Sequence, residues 1–284
     1  MPRSIQHCKT SRKPSTHRKT NVQTFAHPGS KKRVHNQLSV LIPHSKIRVD
    51  LFYGSGNATL PLIPAHVEIA NDLDGEVINY FRMVQMNPDI LHHALKGFPV
   101  SDVLFAEISK QDTSSLTPVQ RAARFLYLAE AGYCGKYREK KYLAIPRSAP
   151  MRYQPRKLYQ RIHSLHRRIL NITFVQKDFE EIIHKYDSPD TFFFVDPPYD
   201  GREDYYKINF EVDDHTRLSE KLRHIKGKAL VTLPDLPAVR ARYDFARFMA
   251  PLSIRYSLSN TKRTLGKELA IGINYDKPEM RGTA

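Results

Sequence analysis

The sequence has few of the residues or runs that mark membrane, disulfide-rich or zinc-binding proteins. No apolar run approaches the roughly 18 to 20 residues that a membrane-spanning helix needs, and no apolar segment follows the first basic residues, as a secretory signal requires. The two cysteines, Cys8 and Cys134, form neither a disulfide framework nor a zinc-ligand set. The phosphate-loop pattern G-x-x-x-x-G-K-S/T is also missing, which argues against nucleoside triphosphate hydrolysis. We therefore expect a cytoplasmic protein with no metal site and no membrane contact.

Acidic residues are scarce in two segments, and these segments carry the whole net charge of the chain. The 284 residues include 45 Lys and Arg against 29 Asp and Glu, a formal charge of +16. Residues 1–20 contain six basic and no acidic residues, and residues 133–170 contain eleven basic residues and one acidic residue. We interpret residues 1–24 as a disordered basic tail, with a merely solvated surface as the alternative for its charge. Tyrosines interleaved with the basic residues of 133–170 favour contact with a nucleic acid.

The first half of the chain predicts the beginning of a parallel α/β sheet. A helical stripe from Val34 to Ile42 precedes a short strand, 48–52, which runs into a glycine-rich turn. A second strand, 67–70, ends in an acidic turn that leads into a helix. A further helix begins at Thr117, where the sequence predicts a capping box closed by the glutamine three residues later.

The second half resumes this pattern after the basic segment. Continuous apolar runs at 191–195 and 229–233 predict strands buried on both faces, and Asp213 or Asp214 is predicted to cap a helix between them. The other predicted strands are 172–175, 254–258 and 269–275. Segment 133–170 shows no strong periodicity, so we interpret it as a module inserted into an α/β fold with a mostly parallel sheet.

Asp196, Pro197, Pro198 and Tyr199 directly follow the most apolar predicted strand. Ligands of open α/β sheets bind beyond the carboxyl ends of the strands. The two prolines fix the backbone and remove its N–H donors, so a carboxylate, carbonyl oxygens and an aromatic face remain. This set suits a planar ring that carries an amino group: Asp196 and the Pro197 carbonyl would accept its two hydrogen bonds, and Tyr199 would stack on the ring. A simple chain turn is the alternative.

A glycine-rich turn, Tyr53-Gly54-Ser55-Gly56, follows the first predicted strand. A carboxylate, Asp72 or Asp74, ends the next strand 16 to 18 residues later. This spacing resembles nucleoside-binding sites in which the acid accepts hydrogen bonds from the ribose hydroxyls.

Taken in order over residues 27–277, these motifs resemble the Dam-like, alpha-group adenine-specific DNA methyltransferases. The resemblance implies a Rossmann-like class I fold and methyl transfer from S-adenosylmethionine to the N6 amine of a flipped-out adenine. It gives the catalytic role to Asp196, Pro197, Pro198 and Tyr199. The donor-binding residues that it implies are Gly29, Lys31, Phe52, Gly54, Ser55, Gly56, Asp72, Asp74, Asp178 and Phe179.

The resemblance also implies a mostly helical and loop target-recognition region, 116–170, inserted into a catalytic domain formed by 25–115 and 171–278. Double-stranded DNA is the expected partner. Its predicted contacts are Lys136, Arg138, Lys140, Lys141, Arg152, Arg156, Lys157 and Arg161. Relatives often act as monomers, so we expect a monomer, nucleoid-associated and encoded by a bacterium or a phage.

Departures from the family pattern, to which the strand end Thr232-Leu233-Pro234-Asp235 in place of a small polar pair also belongs, leave other functions open. Ser30 replaces a glycine and Leu51 replaces a proline, and the loop 129–135 reads Ala-Glu-Ala-Gly-Tyr-Cys-Gly rather than Asn-Arg-Thr-Gly-Phe-Asn-Gly. An RNA or protein-amide methyltransferase and a catalytically decayed DNA-binding relative are the alternatives.

Overall fold

The computed structural model describes residues 22–132, 143–146, 150–199, 210–255 and 265–278. Several sequence predictions lie outside these residues. They are most of the basic tail and the predicted DNA contacts Lys136, Arg138, Lys140 and Lys141. Among the described residues, no helix has the length and apolar character needed to cross a membrane.

Seven strands form one mostly parallel sheet. They are β1 (Ile47–Asp50), β2 (Val67–Asn71), β3 (Ile172–Val175), β4 (Thr191–Val195), β5 (Lys228–Pro234), β6 (Phe248–Arg255) and β7 (Leu265–Ile273). Their order across the sheet is β3-β2-β1-β4-β5-β7-β6. Strands β1 to β5 run parallel, and β7 is antiparallel to both of its neighbours. The strand order reverses between β1 and β4, and such a switch point opens a crevice at the carboxyl ends of the strands.

Helices cover both faces of this sheet. They are α1 (His35–Ser39), α2 (Gly75–Met86), α3 (Pro88–Leu95), α4 (Asp102–Lys110), α5 (Pro118–Ala131), α6 (Pro155–Ile169), α7 (Phe179–Tyr186), α8 (Val212–Arg223) and α9 (Pro237–Arg242), with a short 3₁₀ turn at Lys31–Arg33. The predicted capping box of α5 is present, since the Thr117 hydroxyl accepts from the Gln120 N–H and the Gln120 side chain accepts from the Thr117 N–H. Both exchanges satisfy N–H groups that the first helical turn leaves free.

Alternate residues of the central strands enter different hydrophobic clusters. On β2, Ala70 packs with α2, α3, α5 and α6, whereas Ile69 packs with α7 and α8. On β4, Phe193 belongs to the α7–α8 side, and Phe192 and Phe194 pack with Leu38 of α1. Burial on both faces explains why these strands are continuously apolar rather than alternating. The predicted α/β fold with a mostly parallel sheet is confirmed.

Three local predictions need correction. Helix α6 was missed, yet Leu158, Ile162, Leu165 and Ile169 are buried at helical spacing. The N-cap of α8 is Glu211; Asp214 instead occupies the third helical position and completes a capping box. Strand β6 begins at Phe248, six residues before the predicted strand 254–258, whose last three residues lie outside the described chain.

The division into a catalytic domain and an inserted region at 116–170 stays a prediction. Helices α5 and α6, which fall inside the predicted insertion, share one buried cluster with α2 and α3. Residues 133–142, between them, lie outside the described chain. The described parts of the predicted insertion thus share a core with helices of the predicted catalytic domain.

Candidate active site at the carboxyl ends of the central strands

An open pocket lies at the carboxyl ends of β1, β2 and β4, where the strand order reverses. Its described lining includes eight of the ten predicted donor-binding residues: Gly29, Lys31, Phe52, Gly54, Ser55, Gly56, Asp72 and Asp74. Two predicted catalytic residues, Asp196 and Pro198, line the same pocket. The fold thus brings together residues that are up to 169 positions apart in the sequence.

The glycine-rich turn after β1 needs glycine at both of its glycine positions. Gly54 and Gly56 have φ angles of 51° and 66°, in the left-handed region that side chains with a Cβ rarely adopt. A Cβ at Gly56 would also lie 2.6 Å from the Tyr53 ring and 2.8 Å from Leu60. The turn therefore passes close over the core, and both glycine N–H groups bond within the protein, Gly54 to Asp72 and Gly56 to the Tyr53 carbonyl.

Asp72 holds this turn by hydrogen bonds to backbone N–H groups. Its Oδ2 accepts from Gly54 N at 2.7 Å, and its Oδ1 accepts from Asp74 N at 2.8 Å. Asp74 is the N-cap of α2 and accepts from Glu76 N. The two predicted ribose ligands consequently differ: Asp72 joins the turn to the end of β2, and Asp74 begins a helix.

Asn71, the residue before Asp72, bonds to the backbone of two other segments through its side-chain amide. Its side chain is buried and donates to the carbonyls of Leu51 and Lys177, and its Oδ1 accepts from Lys177 N at 2.9 Å. One amide therefore ties together the chain ends that leave β1, β2 and β3. This bonding fixes the edge of the pocket at which Asp72 lies.

The segment before α1 forms another wall of the pocket. Gly29 has a φ of 75°, and Lys31 is buried with its ammonium group facing Asp196. Asn57 Nδ2 donates to the hydroxyls of Ser30 and Ser55 at 2.9 and 2.8 Å. This polar cluster joins the N-terminal wall to the glycine-rich turn.

Asp196 receives two strong contacts on one of its carboxylate oxygens. Lys31 Nζ lies 2.8 Å from Oδ1, and the Thr232 hydroxyl donates to the same oxygen at 2.6 Å. The ammonium also lies 4.9 Å from the centre of the Tyr199 ring, within cation–π range. Glu268 Oε2, 3.8 Å from Lys31 Nζ, adds a second buried carboxylate. The predicted donor ligand Lys31 therefore contacts the predicted catalytic carboxylate.

Four predicted residues are not part of the described lining of the pocket. Pro197 and Tyr199 continue the chain from Asp196. Asp178 is the N-cap of α7, and Phe179 packs 6.0 Å from the rings of Phe52 and Phe210. Phe52 and Phe210 themselves line the pocket, so Phe179 supports an aromatic wall from behind.

The sequence reasoning missed several pocket residues, among them His27, Asp50, Asn57, Phe194 and Phe210. Asp50 could have been found, because it is a carboxylate at the end of β1 directly before the glycine-rich turn. Burial raises its pKa from 3.8 to about 7, with nearby Arg48 and the Thr59 hydroxyl acting in the opposite direction. No motif or spacing in the sequence marked Phe210 as a pocket residue.

The predicted DNA contacts that lie in the described chain have different surroundings. Arg156 and Lys157 are exposed on the first turn of α6. Arg152 is exposed and donates to the Gly132 carbonyl. Arg161, in contrast, is 15% exposed and pairs with Glu130 at 3.0 Å.

Comparison with known proteins agrees with this arrangement. Residues 27–255 match the family described as D12 class N6 adenine-specific DNA methyltransferase. The type II methyltransferase M.CviBI of Paramecium bursaria Chlorella virus NC1A is 25% identical over 181 residues, which cover 62% of this chain and 68% of that protein. The type II methyltransferase M1.LlaDCHI of Lactococcus lactis subsp. cremoris is 25% identical over 235 residues, which cover 76% and 81%.

The family match spans most of the chain and includes both halves of the pocket. The predicted Rossmann-like methyltransferase fold and adenine-specific function are confirmed at this level, and nothing favours the RNA or protein-amide alternatives. The protein belongs to the D12 class of N6 adenine-specific DNA methyltransferases.

Proposed function

We propose that the pocket binds S-adenosylmethionine and that the enzyme methylates adenine at a specific DNA sequence. The main support is that Asp72 and Asp196 line one pocket, whose described lining contains four aspartates and a single lysine. The donor is a cation, and the Asp72 and Asp74 side chains in the lining suit it. S-adenosylmethionine, when bound, supplies a methyl group activated on a positively charged sulfur.

The described residues fit this donor at both of its ends. Asp72 lines the pocket at the end of β2 and would accept hydrogen bonds from the ribose hydroxyls. Phe52 and Phe210 form a T-shaped pair 5.3 Å apart in the lining, which provides an apolar wall for the adenine of the donor. The cluster of Ser30, Ser55 and Asn57 would bind its amino-acid end.

The target adenine would bind at Asp196. Its carboxylate and the Pro197 carbonyl would accept the two hydrogens of the N6 amine, and Tyr199 would stack on the base. These contacts draw the nitrogen toward tetrahedral geometry and free its lone pair. The chain thereby contributes orientation and electrostatic stabilisation at the reacting amine.

The DNA backbone would contact the exposed basic residues of the α6 region, among them Arg152, Arg156 and Lys157. Such contacts neutralise phosphates without reading sequence. Both curated relatives are type II methyltransferases, so we propose recognition of a defined site, as in restriction-modification systems.

The direct test incubates the purified protein with S-adenosylmethionine and unmethylated genomic DNA, followed by sequencing for N6-methyladenine. We expect methylation at one short sequence. Asp196→Ala should retain DNA binding and lose methyl transfer. Methylation by that variant at the wild-type rate, or methylation only of RNA or protein by the wild type, would overturn the proposal.

A further inference from the structure

Thr232 lies beside Asp196 at the carboxyl end of the neighbouring strand. The register of β4 and β5 pairs Val195 with Val231, so the next residues along each chain, Asp196 and Thr232, are adjacent. Thr232 has no exposed surface, and its hydroxyl donates to Asp196 Oδ1 at 2.6 Å. A β-branched side chain has few rotamers, so this donor is held rigidly.

Lys31, which lines the pocket, contacts the same oxygen. Its ammonium lies 2.8 Å from Oδ1, and it is held in turn by the Gly29 carbonyl at 3.1 Å and by Glu268 at 3.8 Å. Its side chain is only 4% exposed. Oδ1 therefore receives two donors from inside the protein.

The second oxygen of Asp196 has a different environment. Within the described part of the chain, no donor reaches Oδ2. The Asp196 side chain is 18% exposed and lines the pocket. The two oxygens of this carboxylate are thus inequivalent, one anchored in the interior and the other available to a ligand.

We propose that Thr232 is a positioning residue: by fixing Oδ1, it presents Oδ2 of Asp196 to the amine of the target base. The terminal torsion of an aspartate is broad and roughly two-fold, so a carboxylate held by the Lys31 ammonium alone samples more orientations, including some that do not face the amine. Holding it in one orientation before the base arrives lowers the barrier for the chemical step. This inference rests on the proposed function.

The test compares Thr232→Val with Thr232→Ser in the full-length protein. Valine keeps the shape and removes the donor, whereas serine keeps the donor and removes a methyl group. We expect Thr232→Val to lower the single-turnover rate of DNA methylation by about ten- to a hundredfold, the effect of removing one hydrogen bond to a charged group. Thr232→Ser should stay within about threefold of the wild type, and the Kd values for S-adenosylmethionine and DNA should not change in either variant.

The outcomes separate this inference from the function on which it rests. A wild-type protein that methylates no DNA adenine overturns both. If the wild type is active, an unchanged rate in Thr232→Val overturns the inference alone. Equal losses in the valine and serine variants also overturn it, because they would mean that packing rather than the hydroxyl matters.

Discussion

Arg161 and Glu130 form an ion pair that anchors the chain segment leading into the pocket. Arg161 Nη2 lies 3.0 Å from Glu130 Oε1 and donates to the Thr24 carbonyl at 2.6 Å. The same Glu130 oxygen accepts from the Ala26 N–H at 3.0 Å. The two side chains are only 15% and 6% exposed. The pair therefore links α5 and α6 to residues just before the pocket wall.

Arg161→Gln should destabilise the protein far more than Arg156→Gln, its exposed counterpart earlier in α6. Removing one partner of a buried pair leaves an uncompensated charge and costs about 3 to 5 kcal/mol. An exposed substitution without such contacts changes stability by about 0.5 kcal/mol or less. Urea unfolding of both variants measures the difference; equal midpoints would show that the pair does not anchor the segment.

Arg156 and Lys157 should contribute to the salt dependence of DNA binding. Arg156→Gln and Lys157→Gln should each remove one phosphate contact and so reduce the slope of log K against log salt concentration by about 0.9. Affinity should fall to a similar extent on different DNA sequences, because phosphate contacts carry no sequence information. Fluorescence anisotropy between about 50 and 200 mM salt measures both effects.

The matched control for these variants is Lys228→Gln. Lys228 is exposed at the start of β5, and the pocket lies at the other end of the strands. This variant removes the same charge and should leave the slope unchanged. An equal effect of Lys228→Gln would attribute the salt dependence to net charge instead of to a local contact.

Strands and capped helices with a local signal were predictable from the sequence. The run Thr191–Val195 is apolar because both faces of β4 are covered, so its bounds coincide with the prediction. The capping box at Thr117 depends only on residues three positions apart, and it too is present. Helix α6 was missed because basic residues separate its buried residues, so the helical spacing of the apolar residues was not recognised.

The partners of Asp196 depend on tertiary structure and left no local signal. Lys31 and Thr232 contact its Oδ1, and Glu268 in turn contacts Lys31, so three different parts of the chain are involved. Only the reversal of strand order next to β4 and the antiparallel β7 bring these positions together. The family resemblance assigned Lys31 to the donor, whereas packing directs its ammonium to Asp196.

Gly56→Ala should destabilise the protein more than Gly54→Ala. Both positions have positive φ, so an alanine at either costs about 1 to 2 kcal/mol of backbone strain. At Gly56 the new Cβ would also meet Tyr53 and Leu60 below 3 Å, and overpacking adds about 1 to 3 kcal/mol. At Gly54 the nearest atom, in the His27 ring, is 3.5 Å away, which is ordinary contact.

Thermal unfolding measures the loss of stability in each variant, and calorimetric titration with S-adenosylmethionine measures the loss of donor binding. Gly56→Ala should lower the Tm clearly and weaken donor binding, whereas Gly54→Ala should show a smaller loss of both. The reverse order of the two melting temperatures would show that the turn does not pack on the core as described.

The buried Asp50 should make the protein less stable as the pH rises from about 4 to about 7. In the folded protein burial raises the pKa of Asp50 from 3.8 to about 7, so the folded state keeps a proton that the unfolded chain has released. The unfolded state then binds fewer protons, and stability falls with increasing pH across this window. The stabilisation from this retained proton is complete below about pH 4 and lost above about pH 7. At about 1.4 kcal/mol per pKa unit, it amounts to at most about 4 kcal/mol.

Asp50→Asn isolates this effect. The amide oxygen can still accept the Thr59 hydroxyl, which donates to Asp50 Oδ1 at 2.9 Å, but the side chain no longer titrates. The free energy of unfolding of the variant, relative to the wild type, should therefore rise between pH 4 and pH 7 and then level off. Every other titrating group is common to both proteins. Parallel curves for Asp50→Asn and the wild type would therefore show that Asp50 ionises at the same pH in the folded and the unfolded protein.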